Sequence, residues 1–427
     1  MLIPVLLGTF LITIFTKLPV AIVLGFSSVM AFIVSGQYPL TVVINRMFSG
    51  MDSFILIAIP MFILMARIMN ESGASRRMFN FANSLVGHFP GGLGHTNVMA
   101  SIIFAGMSGS AVADAAGLGR IEIKAMNEHG YDPPFGAAIT AASSVIGPII
   151  PPSIPMVVYG TMAGVSVVKL FAGGIIPGFL VGITLMIMVY IIAKRTPGFP
   201  IEKKAAWKER WRAFINGFPS LFAIIIILGG IFTGWYTPTE ASVIAVLYVV
   251  FLDVLVYREL KPADYHRILL NTALDAGAIV IIISCANVFG WLLVVERIPN
   301  MMIEFLLGMK TSPVIILLLI DLILLFLGCF IEGLAIMVII IPVLVPLVIQ
   351  LGYSPVHFGV LIVLDIMIGV TTPPMGMSLF AVSNVTGLPV SRISKAMVPF
   401  YIPLILTLFF CTVFPDIIMF VPNLLLK

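Results

Sequence analysis

One apolar stretch, Gly147-Pro-Ile-Ile-Pro-Pro-Ser-Ile-Pro155, constrains this chain more than any other, because it occurs twice. Its partner, Gly369-Val-Thr-Thr-Pro-Pro-Met-Gly376, lies 222 residues further on. The same offset pairs Gly106 with Gly328, Gly130-Tyr131 with Gly352-Tyr353, Pro133 with Pro355 and Pro177 with Pro399. One offset held across Gly, Tyr and Pro positions marks a duplication. In each copy the prolines remove amide donors and clash with the preceding turn, so no continuous helix runs through. In lipid, the freed backbone groups would cost several kcal/mol each, so they are expected in a protein interior or along a wet cavity.

The surrounding composition places those breaks in a membrane. Of 427 residues, 60% are hydrophobic and only 10% are charged, and apolar runs of spanning length recur from end to end. The fold class expected is an all-α polytopic membrane protein. The stretch from Met1 to Phe15 has no charged leading region and no small-residue cleavage site, so it reads as a first span. Cys285, Cys329 and Cys411 lie in apolar surroundings without metal-type spacing and are read as packing residues. A net charge of +4 comes from loop lysines and arginines and gives no nucleic-acid signal. Interrupted segments at matching places in two halves of a membrane protein point to a transport site.

In chain order, spans are expected at 2–16, 19–36 and 53–70, then a surface amphipathic helix within 71–95. A re-entrant hairpin at 96–125 turns on Gly106-Met-Ser-Gly-Ser-Ala-Val-Ala-Asp114, because neither side of that small-residue patch is long enough to cross. A broken span at 134–165 and a full span at 171–193 complete the first unit, 1–193. The linker, 194–217, opens with seven basic residues up to Arg212 and carries Trp207 and Trp211 four apart, as in a helix lying at the headgroup level. The second unit, 218–427, repeats the order: spans at 218–236, 239–257 and 275–293, a polar stretch at 296–312, a hairpin at 313–350 turning at Gly328-Cys-Phe-Ile-Glu332, a broken span at 356–386 and a last span at 397–420.

Each half thus has five crossings and one hairpin. Five is odd, so the halves are expected to be inverted repeats. With 194–212 cytoplasmic and the N-terminus outside, 18 of 23 basic residues fall inside, and only Arg46, Lys169, Arg297, Lys310 and Lys427 fall outside. The breaks and hairpins cluster in 53–193 and 275–420, which are expected to move as a transport domain against a scaffold made mostly of 1–36 and 218–257.

Two hairpin tips and two broken helices entering from opposite faces bring short helix ends together near the midplane. Helix N-termini there suit a carboxylate, while C-terminal carbonyls suit a hard cation such as Na⁺. Two Na⁺ sites are expected, one per half. Carbonyls around Gly106, Ser108 and Gly147 would serve the first, with the Ser110 and Ser153 hydroxyls nearby. Gly328, Gly369, Thr372 and the backbone of Met375 would serve the second. The plainer alternative is that these glycines only let helices approach closely. For the substrate, the candidates are Ser110, Asp114, Ser153 and Glu332. Acidic residues inside apolar segments are functional suspects because a charge there costs at least roughly 2.5–3.5 kcal/mol. Asp365 is another such residue, whereas Asp321 fits an interhelical hydrogen bond and Asp52 and Asp275 fit helix starts. The five histidines fall near the loops, no His/Cys/Asp cluster has metal spacing, no nucleophile has an evident base, and no phosphate-cradling loop argues for ATP.

These motifs, together with Gly130-Tyr-Asp-Pro-Pro134 and Phe232-Thr-Gly-Trp-Tyr-Thr-Pro-Thr-Glu-Ala241, resemble the large membrane subunit of the tripartite ATP-independent periplasmic (TRAP) transporters over essentially the whole chain. The resemblance implies a bacterial inner-membrane, Na⁺-driven importer of organic acids working as an elevator. It also implies two partners, a small four-helix membrane subunit and a soluble periplasmic substrate-binding protein. The chain begins at the first large-subunit span, with no fused small subunit expected. The segment Phe232 to Glu240 is longer than the Phe-Thr-Pro-Thr-Glu usual in that family. Among possible acids, a sialic acid is expected ahead of a C4-dicarboxylate. A stand-alone sodium–dicarboxylate symporter shares inverted repeats and paired hairpins and is the neighbouring reading; an intramembrane enzyme would need a polar catalytic pair facing one cavity.

Overall fold

The computed structural model describes residues 2–14, 16, 18–196, 199–200, 203–308 and 311–426. Lys17, Lys310 and Lys427, all counted in the charge pattern, lie outside the described residues. Every regular element among those described is helical. Seven of these helices are long and apolar enough to cross a membrane.

The first half contains α1 (Leu2–Ile14), α2 (Val20–Ser35), α3 (Thr41–Met51), α4 (Ala58–Glu71), α5 (Ala74–Val86), α6 (Gly92–Ser108), α7 (Ala111–Ala116), α8 (Leu118–Glu128), α9 (Pro133–Ser143), α10 (Ile154–Ala163) and α11 (Val167–Arg195). The second contains α12 (Trp207–Phe232), α13 (Pro238–Phe251), α14 (Pro262–Val295), α15 (Ile298–Gly308), α16 (Pro313–Gly328), α17 (Gly333–Gln350), α18 (Pro355–Gly369), α19 (Met377–Thr386), α20 (Val390–Val413) and α21 (Asp416–Leu425). The 222-residue offset recurs in the helix boundaries: α7 starts at 111 and α17 at 333, α8 ends at 128 and α17 at 350, and α9 and α18 both start on proline, at 133 and 355. Proline suits a first helical position, where its missing amide would be unsatisfied anyway. At the start of α13, Thr237 Oγ1 accepts from the Glu240 amide at 3.3 Å and Glu240 Oε2 accepts from the Thr237 amide at 2.8 Å, a reciprocal cap.

The halves differ where α14 begins. It runs unbroken for 34 residues, whereas its counterpart is split at Asp52–Ser53 into α3 and α4. α14 packs against α2, α3 and α4, and also against α17, so it bridges the plain spans and the hairpin-bearing part. Ion pairs gather around α4, α5 and the start of α14: Arg67 with Asp275, Arg77 with Glu259 at 2.6 Å, and Arg267 with Glu71 at 2.6 Å. Partly exposed pairs of this kind contribute no more than about 1 kcal/mol each.

Four sequence expectations change. Asp275 is not a helix-start charge but an interior residue of α14 paired with Arg67, whereas Asp52 lies between the end of α3 and the apolar span Phe54–Glu71. The 194–217 segment is not wholly a linker: from Trp207 it belongs to α12, which continues into the next span because Pro219 is absorbed within the helix. Trp207 and Trp211 are 77% and 54% exposed. The last span stops at Val413; Pro415 forces Phe414 out of helical geometry (φ −118°, ψ 83°), and α21 is a separate helix. His357 lies inside α18, fully buried, with Nε2 donating to the Cys411 carbonyl at 2.9 Å.

Candidate functional site

The second hairpin is α16 and α17, and the second break separates α18 from α19. Gly328 and Gly369 meet backbone to backbone: a Cβ on either would stand 2.7 Å from the other's Cα. No side chain fits there, which is why both positions need glycine. The Met375 amide donates to the Cys329 carbonyl at 3.1 Å, fastening the break to the hairpin tip. Within the break, the Thr372 amide donates to the Gly369 carbonyl at 2.8 Å and Thr372 Oγ1 donates to the Ile368 carbonyl at 2.9 Å. Tyr401 on α20 donates to the Thr371 carbonyl at 2.7 Å and fixes the loop from behind. Gly328, Gly369, Thr372 and Met375 therefore share one seam. Glu332 is the N-cap of α17, accepting from the amides of Leu334 at 3.2 Å and Ala335 at 3.0 Å. Each of its oxygens retains a further lone pair.

In the first half, Gly109 turns the tip in the left-handed region (φ +58°), and a Cβ there would approach the Pro152 carbonyl at 3.1 Å and the Ile154 amide at 3.2 Å. The first tip is thus also seated on its own break. Ser110 caps α7 by accepting from the Ala113 amide at 3.4 Å. Buried Ser153 donates to the Pro148 carbonyl at 2.5 Å and accepts from the Met156 amide at 3.3 Å, capping α10. Ser108 ends α6, and its side chain lies outside the described residues. The glycine geometry is not repeated, because Gly106 faces Ile224 of α12 and Gly147 faces the carboxylate of Asp114. Asp114 is buried against the break, so it does not share an open cavity with Ser110.

Two buried polar clusters lie behind the seams. Asn97 Nδ2 donates to Glu122 Oε2 at 2.6 Å and to Thr140 Oγ1 at 2.7 Å, and Ser143 Oγ donates to Asn97 Oδ1 at 2.7 Å. These bonds tie α6, α8 and α9 into one unit. In the second half Thr412 of α20 donates to Asp321 of α16 at 2.6 Å, the interhelical bond expected of Asp321. Asp365, fully buried, occupies the place 222 residues after Ser143. Sequence reasoning missed Glu122 and Asn97. The signal for Glu122 was its place among Leu118, Ile123 and Met126 on the buried side of α8.

Among the described residues, no group of three or more His, Cys, Asp or Glu side chains could hold a transition metal. What the seams offer is carbonyl and hydroxyl oxygen, the donor chemistry of a hard monovalent cation.

The chain's relatives bear on what such seams serve. It is 42% identical over 412 residues to the sialic acid TRAP transporter large permease protein SiaM of Vibrio cholerae, covering 96% of each chain. It is 40% identical to the sialic acid TRAP transporter permease protein SiaT of Haemophilus influenzae, covering 97% of this chain and 67% of that protein. It is 37% identical to the C4-dicarboxylate TRAP transporter large permease protein DctM of Pseudomonas aeruginosa, covering 88% of each. Its fold is like that of the YdaH transporter of Alcanivorax borkumensis, described as having an unusual topology, at a TM-score of 0.61, 13% identity and 88% coverage of each chain. The model of the tripartite ATP-independent periplasmic transporter DctM component matches residues 7–417, and with that match the chain belongs to the DctM family of large TRAP permease subunits.

Proposed function

We propose that this permease imports an organic acid, a sialic acid ahead of a C4-dicarboxylate, by Na⁺-coupled secondary transport across a bacterial inner membrane. It would receive the acid from a periplasmic binding protein and work with a small membrane subunit, with its own N-terminus periplasmic. The observation that carries the reading is that each hairpin tip packs backbone to backbone on its own helix break, at Gly328–Gly369 with the Met375–Cys329 bond in one half and at Gly109 against Pro152 and Ile154 in the other.

Such a seam gathers carbonyls that have no helical partner beside hydroxyls, and these can replace the water shell of Na⁺. A cation held there ties the tip to the break. One Na⁺ would sit at Gly328, Gly369, Thr372 and Met375, and a second at Gly106, Ser108 and Gly147. The acid would lie between them, with its carboxylate toward Ser110 and Ser153 and the capped end of α17 at Glu332. Asp114 would act from behind, against Gly147. The halves, 1–193 and 218–427 joined by 194–217, would be inverted repeats. The hairpin-bearing segments 53–193 and 275–420 would move against a scaffold of 1–36 and 218–257, with α4 and α14 as connecting arms. The names of the relatives at 42% and 40% identity support sialic acid as the first acid to try.

The test is uptake into proteoliposomes holding the chain with its cognate small subunit and binding protein, scanning sialic acid and C4-dicarboxylates. Accumulation driven by an inward Na⁺ gradient supports the reading. Equal uptake from a pH gradient with no Na⁺ would refute the coupling.

A further inference from the structure

A cavity of about 510 Å³ lies between the first hairpin and α19, where the two halves of the chain meet. That volume is within the usual range for small-molecule sites. One wall is a single face of α7 and α8, with Val112, Ala116 and Arg120 at successive intervals of four. The other is α19, with Phe380, Asn384 and Val385. Arg120 is the one charged residue in the lining, and among the described residues it makes no ion pair. The carboxylates near it in sequence are engaged elsewhere: Glu122 is buried on Asn97, and Glu128 reaches Lys124 at 3.9 Å.

A guanidinium without a carboxylate, in an otherwise apolar groove with a side-chain amide on the opposite wall, is matched to a planar oxyanion. We propose that Arg120 and Asn384 form a separate anion site for the carboxylate of the transported acid. Arg120 is carried by α8, beyond the Gly117 turn that ends α7, and neither Ser110 nor Ser153 lines this cavity, so the site is distinct from the one at Ser110 and Ser153. An acid leaving the tip along the groove meets Arg120 next. The proposal rests on the transport reading. Because Arg120 is exposed, salt screens it, and its effect is moderate rather than absolute.

The experiment uses Ala381→Cys, on the α19 wall of the groove, as a reporter in the complete complex, since Cys285, Cys329 and Cys411 are all buried and label slowly. The rate of maleimide labelling is followed with sodium sialate, sodium succinate or sodium chloride at equal ionic strength, with Arg120 present or replaced by Gln. At least one carboxylate is expected to slow labelling where chloride does not. R120Q is expected to raise the concentration giving half protection about three- to tenfold. No protection by either acid, equal protection by chloride, or the same half-protection concentration in R120Q would overturn the site. Na⁺-driven uptake by the unaltered complex is scored separately, so failure of the transport reading is distinguishable from failure of the anion site.

Discussion

Replacing Gly369 by Ala puts the tip-and-break seam under direct stress. The added Cβ would sit 2.7 Å from the Cα of Gly328, where both partners are backbone and neither can rotate away. Relief requires α16 and α18 to separate, which stretches the 3.1 Å bond from Met375 to Cys329. Overpacking of this kind costs about 1–3 kcal/mol, and the weakened hydrogen bond adds about 0.5–1.5 kcal/mol. If the seam holds Na⁺ and that cost of about 1.5–4.5 kcal/mol falls on the ion-bound state, Na⁺ affinity weakens by roughly 10- to 2,000-fold. Thermal unfolding of the purified complex, with and without Na⁺, reads both effects, because a ligand that binds only the folded state raises stability with its concentration. Gly369→Ala is expected to lower the unfolding temperature and to lose most of the rise that Na⁺ gives. Gly277→Ala and Gly229→Ala are the controls, since open space surrounds both and both are helical, so alanine there is neutral or stabilises by up to about 1 kcal/mol. If Gly369→Ala behaved like the controls in stability and in Na⁺ response, the reasoning about the seam would be wrong.

Thr372→Val keeps the shape and removes one oxygen, so it is expected to raise the Na⁺ concentration for half-maximal uptake; an unchanged Na⁺ dependence would remove Thr372 from the site. Glu332→Ala loses the cap on α17 and should destabilise by about 0.5–2 kcal/mol. Glu332→Gln keeps one acceptor oxygen, so it should alter transport without unfolding the protein; wild-type transport by Glu332→Gln would remove Glu332 from the substrate site. Thr412→Val leaves buried Asp321 without its donor, at a cost of about 1–3 kcal/mol in thermal unfolding; an unaltered transition would show that the bond contributes nothing.

The parts legible in the sequence are those governed by local backbone chemistry. Proline and glycine mark both breaks and both tips, and the repeated offset fixes where α7, α9, α17 and α18 begin. Asp321 was readable as a hydrogen-bonding residue because a carboxylate in the middle of an apolar arm needs a partner. What stayed hidden depends on contacts between distant segments. Nothing near Asp275 announces Arg67, 208 residues away. Nothing around Gly106 predicts that Ile224 of α12 stands against it while its counterpart Gly328 meets Gly369. The Asn97–Glu122–Thr140 cluster draws on three helices, and Arg120 gains interest only when α19 closes the groove beside it. The extra helix α21 was foreshadowed by Pro415, but the apolar run through it masks the stop.

The most direct measurement is an experimental structure of the purified complex in Na⁺ and again with choline replacing it. The account predicts two ion densities in Na⁺, one among Gly328, Gly369, Thr372 and Met375 and one between the 106–110 tip and the 147–153 break, both lost in choline. Ordered waters resolved elsewhere in the protein, with both seams empty in saturating Na⁺, would contradict it.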